Sequence, residues 1–152
     1  MKLAEALILR ADYQKRLEQL KARLVRSAKV QEGDEPPENP QDLLAEVESV
    51  ADALAALIQR INKTNAGTEF SPGVTLTDAL AVRDVLKVRR DVYAALASAA
   101  VVTQDRYSKS EIRFRSTVHV AQVQKRADDL SKERRELDAR IQEANWLTEL
   151  VE

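Results

Sequence analysis

The residues of this chain that could do chemistry are few, and most gather in one segment. Residues 104–117 read QDRYSKSEIRFRST, where Arg106, Lys109, Arg113 and Arg115 alternate with Tyr107, Ile112 and Phe114. Cationic side chains grip carboxylates and phosphates, and interleaved aromatic and apolar groups add a surface for a ligand or a partner's strand. Arg106, Tyr107, Lys109, Arg113 and Arg115 therefore form a candidate site for an anionic ligand or an acidic partner. The loop QEGDEPPENPQ at residues 31–41 carries the opposite charge. Docking of the basic segment on that loop, within one chain or between copies, is the plainer reading of the same residues.

Other arrangements carry less. Ser108 or Ser110 beside Lys109 resembles a nucleophile with a base, but no Gly-rich turn is present to supply an oxyanion hole. A helix-capping polar loop explains these residues better. His119 is the single histidine, whereas a helical di-iron site needs paired Glu-x-x-His motifs and a zinc site several His or Cys ligands. With no cysteine there is no thiolate nucleophile, thiolate metal site or disulfide. A phosphate loop is excluded, because no Gly-rich stretch precedes a Lys-Ser or Lys-Thr pair. No catalytic, cofactor-binding or metal-ligating residue is assigned, and the expectation is a protein without catalysis.

Two further clusters are polar. Arg83, Lys87 and Arg90 share a helix face, but Asp84 and Asp91 lie beside them, so the stripe reads as salt-bridged and not as a phosphate track. Asn62, Asn65, Thr64, Thr75, Thr77 and Asp78 crowd what should be one end of the molecule. Helix capping accounts for the threonines and Asp78. It accounts less well for Asn62, which leaves Asn65, Asn62, Thr77 and Asp78 as a candidate polar end pocket. Trp146, the single tryptophan, suits an anchor in a helix or subunit contact.

The elements that must position these residues are helices. Of the 152 residues, 44% are hydrophobic, 32% charged and only 4% aromatic, with three Gly and four Pro. Ala, Leu, Glu, Arg and Gln dominate, which favours helix over sheet. The clearest seam runs Val123, Ala127, Leu130, Arg134, Leu137, Ile141, Ala144 in alternating steps of four and three.

Helix one is expected over residues 2–30. Helix two should start at Asn39 as N-cap with Pro40 at its first position, and end near Gly67. A loop follows, turning at Pro72-Gly73. Helix three runs to about 103. Ala79, Val82, Leu86, Tyr93, Leu96 and Ala100 lie along one side of it, and Val85, Val88 and Val92 form a second apolar line. A helix apolar on two sides meets more than one neighbour. Alternation around Ile112, Phe114, Val118 and Val120 suggests a short extended segment at 111–118 before helix four begins near Thr117 or Val118. The fold class is all-α: one domain, residues 1–152, of four long antiparallel helices in an up-and-down or coiled-coil-like bundle. Rods this long on so short a chain leave apolar flanks, so a homo-oligomer is expected.

The net charge of −1 gives no global field, so no nucleic-acid partner is expected. No stretch approaches the ~20 apolar residues of a spanning helix. Glu5, Arg10 and Asp12 interrupt the opening MKLAEALILRADYQ too early for a signal peptide, so the cytoplasm is the expected location and a membrane role is not.

The words INKTNA (61–66), LTDAL (76–80), RYSKSEIRF (106–114) and RELDARIQEANW (135–146) together resemble a bacterial family of small helical proteins of unknown function, some of whose members are labelled septicolysin. The resemblance spans nearly the whole chain. It implies no catalytic residue or cofactor. It does imply an alternative function, a membrane-active, pore-forming protein, although the sequence shows neither an export signal nor a membrane-inserting amphipathic hairpin.

Overall fold

The computed structural model describes residues 1–103 and 112–152. The order of elements is α1 (Leu3–Arg26), α2 (Pro40–Gly67), β1 (Glu69–Ser71), β2 (Val74–Thr75), α3 (Leu76–Ala99) and α4 (Val120–Leu147). The fold is all-α, with α1 packed antiparallel on α2 and α3 antiparallel on α4, plus one short β-hairpin. The chain divides into two compact units. Unit 1 holds Met1–Leu76 with Gln142–Glu152, and unit 2 holds Thr77–Ile141.

In unit 1 the α1–α2 seam is aliphatic. Leu20, Leu43 and Val50 are buried together, with Tyr13, Leu17, Leu24 and Val47 packed against them. Arg16 pairs with Glu46, and Arg23 with Glu38, along the edge of the same seam. The start of α2 follows local chemistry: Asn39 Oδ1 accepts from the Gln41 N–H at 2.9 Å and Pro40 takes the first helical position, where a missing N–H costs nothing. Helix α1 stops at Arg26, short of the expected 30. Val25 and Val30 are exposed, and intrinsic propensity alone does not hold an unpacked turn.

The far end of unit 1 is closed by the chain beyond α4. Leu3 N–H donates to Thr148 O and Leu150 N–H to Met1 O, both at 2.9 Å, around an antiparallel Lys2–Glu149 bridge. Leu3, Ala6, Ile61, Leu76 and Leu150 are buried there. The Pro72-Gly73 turn sits at the tip of a hairpin, where β1 and β2 pair through Glu69–Thr75 and Ser71–Val74. Gly73 has φ +75, the backbone a Pro-Gly turn requires at its third residue.

In unit 2 the long seam of α4 is where its spacing predicts. Ala127, Leu130 and Ile141 are buried, while Val123, Arg134 and Leu137 are half-buried. Helix α3 ends at Ala99, not 103, and α4 starts at Val120, not 117 or 118. Ser116 explains the late start. Its hydroxyl donates to Val118 O at 2.8 Å and holds 116–118 in a turn, so helical bonds begin from His119 O. Residues 112–118 contain no ladder-paired strand.

Candidate functional site

Helix α3 carries two heptad lines. The first is Ala79, Arg83, Leu86, Arg90, Tyr93, Ala97 and Ala100; Ala79, Leu86 and Ala97 on it are 2–6% exposed. This side meets α4, and Arg83 Nη1 donates to Asp138 Oδ1 at 2.9 Å across the pair. The second line is Ala81, Val85, Val88, Val92, Ala95 and Ala99, again in alternating steps of four and three, and Val102 follows three residues on, just past the helix. Every member of it is exposed, Val88 and Val92 by 62% and 61%. At 100° per residue the two lines lie on opposite sides of the helix. Val82 and Leu96, grouped by spacing with Ala79 and Leu86, instead flank the second line and are exposed. Ala97 takes the covered position that spacing from Tyr93 by four supplies.

The result is a continuous exposed strip of small β-branched and methyl side chains along one helix. Isolated exposed apolar residues are ordinary, but a contiguous line of them in heptad order is the pattern of a helix-helix contact. The charges beside it are arranged by position. Asp84 and Asp91 border one edge, and Arg89 interrupts the Val82–Leu96 edge. Asp91 is bonded by Lys87 at 2.8 Å and by Arg90 at 3.0 Å, and these hydrogen bonds hold its carboxyl below the usual range. All three cations of the Arg83, Lys87, Arg90 stripe thus have carboxylate partners. Arg89 has no ion-pair partner among the described residues.

Of the basic segment, Arg106, Tyr107 and Lys109 lie outside the described residues. Arg113 and Arg115 are exposed. Phe114 and Arg115 line an open recess of about 350 Å³ together with Leu96, Ala99 and Val102, so the exposed strip of α3 runs into it. Phe114 is itself 83% exposed. In the acidic loop, Glu38 is engaged by α1: Arg23 Nε donates to its Oε2 at 2.9 Å, and this hydrogen bond lowers its pKa.

The candidate polar end residues fall in different units. Asn62 is exposed and Asn65 half-buried near the end of α2 in unit 1, whereas Thr77 and Asp78 are exposed in the first turn of α3, where unit 2 begins. His119 sits just before α4, its Nδ1 accepting from the Gln122 N–H at 3.4 Å, as a helix cap does. Among the described residues, no three His, Asp or Glu side chains are grouped to hold a metal ion. No described helix is long and apolar enough to cross a membrane.

Residues 10–150 match a protein family described as a family of unknown function, DUF6847. The chain belongs to that family. It is also similar to a functionally unknown conserved protein from Corynebacterium diphtheriae whose crystal structure is solved. The two are 48% identical over 99% of each chain, with a TM-score of 0.93. No curated protein matches the chain. Neither description mentions septicolysin or a lytic activity.

Family membership leaves the α3 strip as the feature with most to say about function. Its second line was visible as Val85, Val88 and Val92. The alanines that complete it, Ala81, Ala95 and Ala99, carry too weak a hydrophobic signal to stand out among the many alanines of a helical chain. Buried polar groups were harder still to find. Thr64 and Asn145 are 1% and 5% exposed, and Asn145 lies beside Ala144, the residue with which the spacing closes the α4 seam.

Proposed function

We propose that this member of the family works by assembly and not by catalysis: it is a cytoplasmic homo-oligomer whose surfaces recruit another macromolecule or a small anion. The observation that carries this reading is the exposed heptad strip of α3. Val82, Val85, Val88, Val92 and Leu96 are each between 41% and 62% exposed on one helix. Burying a valine or leucine side chain fully is worth about 1.5–3 kcal/mol, so a strip left half open forgoes several kcal/mol that a neighbouring helix would recover. Arg113 and Arg115, with Arg106, Tyr107 and Lys109 adjacent in sequence, would then serve an anionic ligand or an acidic partner from the end of that strip.

Light scattering of the purified protein across micromolar concentrations tests the reading. A defined oligomer mass supports it, and a monomer throughout refutes it. Anionic liposomes loaded with dye separate it from a septicolysin-like, pore-forming role. Assembly predicts no dye release, whereas lysis would replace it with the membrane-active reading.

A further inference from the structure

We propose that α3 pairs in parallel with α3 of a second copy, so that each subunit's Asp84 faces Arg89 of the other. The inference rests on the self-association reading and names its surface, partner and orientation.

Three observations carry it. The first is the line itself, Ala81, Val85, Val88, Val92, Ala95 and Ala99, which keeps strict heptad spacing along α3 and is exposed at every position. Val85 and Val92 then take one core position of the heptad, where β-branched residues favour two-stranded pairing. Ala81 and Ala95, with Val88 between them, take the other. Their small side chains let the two backbones approach closely.

The second is charge. In a parallel pair, the residue just before one core position of one helix faces the residue five further on in its partner. Asp84 and Arg89 stand at that separation, so the pair forms twice by symmetry. An antiparallel pair would instead bring the aspartate edges together, Asp84 and Asp91 of one copy against those of the other, and like charges so placed repel. Arg89, without an ion-pair partner among the described residues, gains one only in the parallel arrangement.

The third is the end of the strip. Val102 continues the line past the helix and lines the same recess as Phe114. Both are exposed. Parallel pairing places this apolar end of one copy beside that of the other and lengthens the contact. Antiparallel pairing would set it against Thr77 and Asp78. A stable interface buries roughly 800 Å² per partner. A single helix strip about 30 Å long approaches that figure only with such an extension.

The natural absence of cysteine makes orientation directly readable. Ala81→Cys and Ala95→Cys are made separately in the full chain and oxidised under non-reducing conditions. In a parallel pair each forms a disulfide with its own copy, because equivalent core positions lie within disulfide reach. In an antiparallel pair at most one of the two can, and cross-linking at only one of them, or at neither, overturns the proposal. Val88→Asp should weaken association roughly a hundredfold, since two carboxylates would be buried at the seam. Its helix content by circular dichroism should not change, because Val88 is exposed in the single chain. Asp84→Arg should weaken association roughly tenfold, and adding Arg89→Asp in the same chain should restore it.

The outcomes separate the two levels of argument. A wild-type chain that is monomeric overturns both the assembly reading and this interface, and leaves the strip to a different macromolecule. A wild-type oligomer that Val88→Asp does not disturb overturns the α3 interface while assembly stands.

Discussion

Replacing Thr64 by Val would show whether one hydroxyl secures the closing end of unit 1. Thr64 is 1% exposed near the end of α2. Its Oγ1 donates to Arg60 O at 2.8 Å and accepts from the Val151 N–H at 3.1 Å. Arg60 Nε completes the clasp by donating to Val151 O at 2.8 Å. Valine has the shape of threonine, so no cavity opens; what changes is that the Val151 N–H loses its acceptor. A net hydrogen bond contributes about 0.5–1.5 kcal/mol, and a fully buried donor without a partner costs about 1–3 kcal/mol. Val151 is 41% exposed, so water reaches part of the site and the expected loss is about 1 kcal/mol. Losing the bond back to Arg60 O offsets a few tenths of that, because such bonds slightly strain a helix.

The loss should be local. Leu150 stays buried and its N–H still donates to Met1 O. Amide exchange at Val151 is therefore the sensitive assay: its protection should fall about fivefold in Thr64→Val, the ratio that 1 kcal/mol sets. Thr64→Ser is the control. It loses a buried methyl and some global stability, yet keeps the acceptor and so the local protection. Unchanged protection of Val151 in Thr64→Val, or equal loss in both variants, would refute the clasp.

Leu130→Ala should cost about 2–5 kcal/mol in urea denaturation, because Leu130, on the seam of α4, is fully buried. A cost below 1 kcal/mol would mean the two helices do not hold that seam. Arg134→Met should stabilise unit 2 by about 1 kcal/mol, since Arg134 Nε is buried without a hydrogen-bond partner and Met keeps the length of the side chain; a lower denaturation midpoint would contradict this. Glu38→Gln bears on pH. The Arg23 hydrogen bond holds the folded Glu38 carboxyl below its usual range, so the pair stabilises above that range and its contribution fades as pH falls through the lowered value. The Tm gap between wild type and Glu38→Gln should be widest near neutral pH and close on acidification. A gap that widens in acid has the wrong sign.

Some of this molecule is written in local spacing. The α4 seam needs only its own alternating steps of three and four. The start of α2 needs only Asn39 and Pro40, whose side chain and ring act within one turn. Four helices follow from composition and from where Gly and Pro stand. By contrast, Pro72-Gly73 marks a turn but not a hairpin. The strand pairing around it depends on Glu69 and Thr75 meeting across that turn, and three- and two-residue strands leave no readable alternation.

Helix α3 marks the boundary most clearly. Its sequence establishes two apolar lines, because 3.6 residues per turn fixes which side chains share a face. It does not establish which line is covered. That choice belongs to the pairing with α4: Ala79, Leu86 and Ala97 are buried, and Asp138 of α4 reaches Arg83 on the same side, 55 residues away in the chain. Periodicity is a property of one helix, whereas burial is a property of a pair. Only the tertiary structure could therefore separate the valines that face solvent from the alanines that do not.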